Sequence, residues 1–149
     1  VIYHNRSPVD PAARAASGAE PRASLVEVLG ESDVVSMHVP ATPETRSMID
    51  AAALRAMKRE ACLINTARGD VVVESALVDA LRAGVIAGAG LDVYEGEPAV
   101  HPGLLTLPNV ALLPHLGSAT METRLAMGMT VVEKLERYFA GEEPRNRVV

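Results

Sequence analysis

Ala61-Cys62-Leu63-Ile64 runs without a charged side chain into Asn65-Thr66-Ala67-Arg68-Gly69, a change from strand to turn within a few residues. A short apolar run that stops at turn-forming residues reads as a buried strand, here Ala61–Thr66. A helix is expected next over Glu74–Ala83, ended by Gly84. A second apolar run, Ile86–Val93, follows it. Strand, helix and strand at this spacing make a βαβ unit, so the two strands should lie parallel in one sheet.

The same alternation extends both ways. Upstream, Val1–His4 and Asp33–Val39 read as strands, the latter closed by Pro40. Pro11–Ala16 is a short helix stopped by Gly18. Ser24 with Glu27 forms a capping-box pattern opening a helix through Leu29. Asp50 is placed to cap Ala51–Met57. Pro21 confines the strand within Glu20–Ala23 to a short edge. Downstream, Val110–Leu113 is a strand, and Thr120–Ala140 is the longest helix, ended by Gly141 and Pro144. Its apolar positions Leu125, Met129, Val132, Leu135 and Phe139 share one face, which is expected to be buried, with the methionines as core filler.

Composition narrows the function classes. The chain has 149 residues, 48% of them apolar, enough to bury the core of one domain. A net charge of -5, with no basic run, argues against a nucleic-acid partner. No apolar stretch reaches the roughly 18 residues of a membrane span, and no signal peptide is evident. The single Cys62, inside an apolar run, reads as a buried free thiol in a reducing, cytoplasmic setting.

Three strand ends carry chemically active side chains: Arg68, Glu97 in Asp92-Val93-Tyr94-Glu95-Gly96-Glu97-Pro98, and His115 in Leu113-Pro114-His115-Leu116-Gly117-Ser118. In open α/β sheets the ligand crevice lies outside the carboxyl ends of the strands. A guanidinium there suits bidentate capture of a carboxylate. Small residues around Arg68 let backbone approach a ligand. Pro98 biases Glu97 towards extended backbone. A carboxylate beside His115 favours its imidazolium, which makes it a general acid. Singly, each has a bland alternative: a solvated arginine, a solvated loop acid, a structural histidine. Their spacings, 29 residues from Arg68 to Glu97 and 18 from Glu97 to His115, favour the functional reading together.

With the surrounding words, the chain resembles the D-isomer-specific 2-hydroxyacid dehydrogenases over nearly its whole length. The resemblance rests on Asn65-Thr66-Ala67-Arg68-Gly69, Gly90-Leu91-Asp92-Val93-Tyr94-Glu95-Gly96-Glu97-Pro98 and Leu113-Pro114-His115-Leu116-Gly117-Ser118-Ala119-Thr120. Tyr3-His4-Asn5-Arg6 and Gly117-Ser118-Ala119-Thr120 look most like the glyoxylate/hydroxypyruvate reductase branch. The resemblance implies a Rossmann-type, doubly wound parallel α/β sheet that reduces a small 2-oxoacid to its 2-hydroxyacid. By it, Arg68 grips the substrate, His115 is the acid/base and Glu97 tunes His115. The family's formate dehydrogenases have a glutamine where Glu97 stands. The resemblance also assigns cofactor contacts to Val39, Pro40, Thr45, Thr66, Ala67, Asp92 and Gly117, with Arg68 and His115 bordering the same space.

Asn5-Arg6-Ser7, after the first strand, bears on the cofactor. An NAD site places an acid here for the ribose 2′-hydroxyl, whereas an arginine accommodates a 2′-phosphate. The acid is absent and Arg6 is present, so NADP(H) is expected over NAD(H); the alternative is a solvated turn arginine. Other readings of the family likeness are a dinucleotide-sensing co-repressor and a phosphoglycerate or 2-ketogluconate reductase.

The phosphate-binding Gly-x-Gly-x-x-Gly is absent. Ala87-Gly88-Ala89-Gly90 lies inside an expected strand and is followed by Val93 where the third glycine belongs. The 149 residues therefore read as a partial dinucleotide-binding domain lacking its first βα unit. The helix at about 120–140 would return towards a substrate domain, and the full-length protein would be a homodimer. In the usual order 3-2-1-4-5-6 the absent strand separates Val1–His4 from Asp33–Val39. Both should show unpaired edges, leaving the isolated chain poorly stable and unable to bind dinucleotide tightly. Val73 stands where the family often has a capping acid, a loss of about 1 kcal/mol.

Overall fold

Local signals account for most of the helices. In the structure, a computed structural model that describes residues 1–143 and Asn146, each helix start carries the cap its sequence suggests, except one. Asp10 accepts hydrogen bonds from Ala12 and Ala13 at the start of α1 (Pro11–Ser17), which Gly18 ends in the left-handed conformation at φ 62°. Ser24 accepts from the Glu27 N–H to open α2 (Leu25–Glu31), and the Glu27 carboxylate accepts from the Ala23 N–H, one residue before the box position expected. Asp50 accepts from Ala52 and Ala53 at 2.8 and 2.9 Å at the head of α3 (Ala51–Ala56). The exception is α4 (Glu74–Arg82), where Val73 offers no side-chain cap and Glu74 occupies the first turn.

The strands fall into two parallel sheets. Ile2–Tyr3 (β1) and Glu20–Pro21 (β2) pair, with α1 between them in sequence. Val34–Met37 (β3), Cys62–Asn65 (β4), Gly88–Leu91 (β5) and Val110–Leu112 (β6) form a four-stranded sheet in the order β3-β4-β5-β6. As expected, Pro21 leaves β2 two residues long, and Gly88, Ala89 and Gly90 lie in a strand rather than a phosphate loop. Among the described residues β1 pairs only with β2 and β3 only with β4, so each has one edge unpaired there.

Register sets the geometry of everything that follows. Met37, Asn65, Leu91 and Leu112 lie side by side across the four strands. The segments beginning Thr66, Asp92 and Leu113 therefore leave the sheet at one edge, the carboxyl end. Val35, Met37, Leu63, Asn65, Ala89 and Leu91 are buried on the face whose apolar members cluster with Leu29 of α2, Leu54 of α3 and Leu77, Val78 and Leu81 of α4. The other face, with Val34 (62% exposed), Ser36, Cys62 and Ile64, is less covered. The glycines of β5 serve this packing. A Cβ at Gly88 would lie 3.0 Å from the Asn109 carbonyl oxygen, and one at Gly90 3.1 Å from Ile64 Cδ1.

Two units are distinguishable, Val1–Pro114 and the segment from His115 onward. The second contains α5 (Met121–Phe139), capped by Thr120, with Gly141 following at φ 77°. Four expectations need correction. α5 buries none of its residues: Leu125 is 64% and Phe139 82% exposed, and Met129, Val132 and Leu135 are also exposed. An apolar stripe declares that a partner surface is required, and α5 is the only regular element of its unit among the described residues. The methionines Met121, Met127 and Met129 are likewise exposed rather than core filler. Cys62 is only half-buried, because it points to the less covered face of β4. The strands are shorter than their apolar runs, since Ile86, Ala87, Asp92 and Val93 sit outside the β5 ladder. Pro144, expected to help end α5, lies outside the described residues. No described helix is long and apolar enough to cross a membrane.

Candidate active site

The turn after β4 is held by one buried amide. Asn65, 1% exposed, accepts from the Ala67 N–H through Oδ1 at 3.1 Å and donates from Nδ2 to the Arg68 carbonyl at 3.0 Å. A buried side chain that satisfies both its polar ends locally costs little and fixes the backbone it grips. Arg68 thus emerges on extended backbone with its guanidinium exposed, donating from Nη1 to the Ala67 carbonyl at 2.6 Å. Next to it, Gly69 is buried against the following loop. A Cβ there would fall on the Tyr94 carbonyl and the Glu95 nitrogen. Only glycine permits that approach.

The loop after β5 carries Glu97. Its carboxylate accepts from the Tyr94 N–H at 2.9 Å, and the Glu97–Pro98 peptide is cis. Tyr94 is buried, and its hydroxyl lies 2.7 Å from the Leu113 carbonyl and 3.2 Å from that of Leu91. Burial pushes the Tyr94 phenol up, and the charges of Asp92, Glu74 and Glu97 act in the same direction. The hydroxyl therefore stays a donor, tying the exit of β5 to the exit of β6. Asp92 is itself buried beside Tyr94. Glu74, also buried, accepts from the Glu95 N–H at 2.7 Å.

Residues expected to meet the cofactor gather in part. His38, Val39, Pro40, Ala41, Thr66, Ala67 and Arg68 line an open cleft of about 530 Å³ at the carboxyl ends of β3 and β4. Thr45 does not line it. Its hydroxyl donates to the Pro40 carbonyl at 2.6 Å and accepts from the Thr42 N–H at 2.9 Å, which fixes the loop that supplies Val39 and Pro40. Asn5, Arg6 and Ser7 stand after β1, in the other sheet. Asn5 donates to the Ser7 carbonyl at 3.0 Å and Arg6 is exposed. The Thr42 hydroxyl holds the Glu44 carboxyl below the usual range, its own N–H adds to this, and so does the charge of Arg6. Arg6 is thus within electrostatic reach of the loop after β3. His115 and Gly117 belong to the second unit. His115 has φ 54°, a left-handed conformation uncommon for a residue with a Cβ, though histidine tolerates it better than most.

Sequence reasoning passed over Asn65, Glu74 and the Tyr94 hydroxyl. Asn65 had a signal, an amide side chain two residues before the N–H it accepts from, as in an Asx turn. Glu74 had none, because its partner lies 21 residues away. Among the described residues no group of His, Cys, Asp or Glu is placed to hold a metal ion.

Residues 1–117 match the family model described as D-isomer specific 2-hydroxyacid dehydrogenase, NAD binding domain. A glyoxylate reductase of Aeropyrum pernix is 48% identical over 99% of the chain. A glyoxylate/hydroxypyruvate reductase B of Serratia proteamaculans is 48% identical over 85% of it. The chain spans 44% and 39% of these two relatives, less than half of either. Among solved structures, an NADPH-dependent glyoxylate/hydroxypyruvate reductase of Sinorhizobium meliloti, in complex with NADP and malonate, superposes with a TM-score of 0.91 at 41% identity. That match covers 99% of this chain and 45% of the other. The apo D-mandelate dehydrogenase of Rhodotorula graminis gives a TM-score of 0.87 at 36% identity, covering 99% and 44%. A parallel sheet with its motifs at the carboxyl edge, matched in sequence and in backbone, places this chain in the D-isomer specific 2-hydroxyacid dehydrogenase family, within the NAD-binding domain.

Proposed function

We propose that the full-length protein containing this chain reduces a small 2-oxoacid, glyoxylate or hydroxypyruvate, to the D-2-hydroxyacid, and prefers NADPH to NADH. The observation that carries this reading is the Asn65-held turn, which leaves the Arg68 guanidinium exposed at the rim of the cleft. An exposed planar cation at a strand's carboxyl end, with donors beyond the one that Nη1 gives to Ala67, suits a substrate carboxylate. The names of the relatives from Aeropyrum pernix and Sinorhizobium meliloti support the substrate class.

Val39, Pro40, Ala41 and Ala67, small or apolar side chains lining the cleft, would border one part of a dinucleotide. When bound, the dinucleotide supplies a hydride to the 2-oxo carbon. The chain's own residues do the rest. Arg68 orients the carboxylate, His115 delivers a proton to the forming alkoxide oxygen, and Glu97 supports the protonated imidazole. Thr66, Ala67, Asp92 and Gly117 border the nicotinamide end, while Asn5, Arg6 and Ser7 take the ribose and its 2′-phosphate. We further take α5 to lead back to a substrate-binding domain and the full-length protein to be a homodimer.

Turnover of the full-length protein on glyoxylate, hydroxypyruvate and pyruvate, with each nucleotide, tests the reading. NADPH should be the better donor, and Arg6→Ala should erase the preference; equal or faster rates with NADH in the wild type refute the role of Arg6. His115→Asn is the informative variant, because asparagine also tolerates left-handed backbone. It should lose at least about 100-fold in kcat, the usual worth of a general acid, with NADPH affinity nearly unchanged. Retained activity removes His115 from proton transfer.

A further inference from the structure

Neither substrate capture nor proton transfer uses Glu74, yet its side chain is only 5% exposed. A buried carboxylate is costly unless hydrogen-bonded, so its partners indicate why it is there. It stands in the first turn of α4, where the helix dipole favours an anion and where Val73 supplies no cap. Capping alone does not explain it, because Oε1 accepts the N–H of Glu95, a residue of the loop after β5, at 2.7 Å. That is a short, charge-assisted bond.

The peptide it grips is the one that matters for Glu97. Gly69 presses on the Tyr94–Glu95 peptide from the side of the β4 turn, and Glu74 holds its N–H. Two residues on, Glu97 accepts from the Tyr94 N–H. The Tyr94 ring is fixed by burial and by its hydroxyl on Leu113. The Ala99 N–H donates to the Gly96 carbonyl at 3.0 Å across Glu97, and the bond from Glu95 to Glu74 ties the start of that turn to α4.

We propose that Glu74 is a positioning residue, whose buried carboxylate, by holding the Glu95 N–H, fixes the turn that presents Glu97. The role rests on the reductase reading, in which Glu97 supports the proton donor. Removing the acceptor frees the turn and displaces Glu97, which slows the chemical step without loosening the substrate that Arg68 holds.

The test uses the full-length protein with glyoxylate and NADPH. Glu74→Leu keeps bulk but no acceptor, and Glu74→Gln keeps an acceptor. Glu74→Leu should lower kcat by about 10–100-fold, the cost of small misplacements remote from the chemistry, with KM little changed. Glu74→Gln should recover most of that rate. Equal kcat in the wild type and Glu74→Leu overturns the proposal, as does a loss confined to KM. If Glu74→Leu does not fold, amide hydrogen exchange in the wild type decides: the Glu95 amide should be protected, and exchange at the rate of an open loop overturns the proposal. A wild type without turnover refutes the reductase reading and this role with it, whereas a working wild type matched by Glu74→Leu refutes the role alone.

Discussion

At the scale of single residues, the site is made by close contacts that tolerate one residue type each. Gly69 is the sharpest case. Its Cα lies on the Tyr94–Glu95 peptide, so Gly69→Ala must push apart the loops that carry Arg68 and Glu97. Overpacking of this kind costs about 1–3 kcal/mol. We expect a lower thermal midpoint together with a lower kcat in the full-length protein. A Gly69→Ala protein with unchanged melting and turnover would show that the two loops move independently. Asn65 and His115 are read differently. The role of Asn65 was within reach of the sequence, because both its partners lie within three residues. The left-handed backbone of His115 was not, since nothing in Leu113-Pro114-His115 requires it.

At the scale of elements, caps were legible and faces were not. Ser24, Asp50 and Thr120 cap the helices they precede because a cap involves only the next three residues. Asp50 provides a pH test. The Ala53 N–H, aided by that of Ala52, holds its carboxyl below the usual aspartate range. A carboxyl lowered on folding adds stability above its unfolded range and loses it as the pH falls through the lowered value. Asp50→Ala in the full-length protein should therefore melt earlier near neutrality, and the gap should close in strong acid. A gap that stays constant across the titration would rule out the charged cap. α5 shows the opposite limit. Its stripe of Leu125, Val132 and Phe139 is plain in the sequence, but a stripe does not say what covers it, and here those residues are exposed.

At the scale of the whole molecule, β1 and β3 each have one edge unpaired among the described residues. An unpaired strand edge is a template for another strand, and Val34 exposes apolar surface beside it. Expressed alone, the 149-residue chain should self-associate, sediment above monomer mass and fail to bind NADPH tightly. A monomer with a cooperative melt and micromolar NADPH affinity would contradict this. The family came from the resemblance of its motifs, and the order of strands and helices and the placing of Arg68 and Glu97 after strands came from residue type and spacing. Those properties depend on neighbours within a turn or a strand, which is the range over which a sequence speaks directly. The bonds from Glu95 to Glu74, from Tyr94 to Leu113, and the seating of Gly69 on Tyr94 depended instead on parallel strands aligned at Asn65, Leu91 and Leu112. Register between segments some 20 residues apart is set by packing of the whole sheet, so these contacts became visible only once the chain was folded.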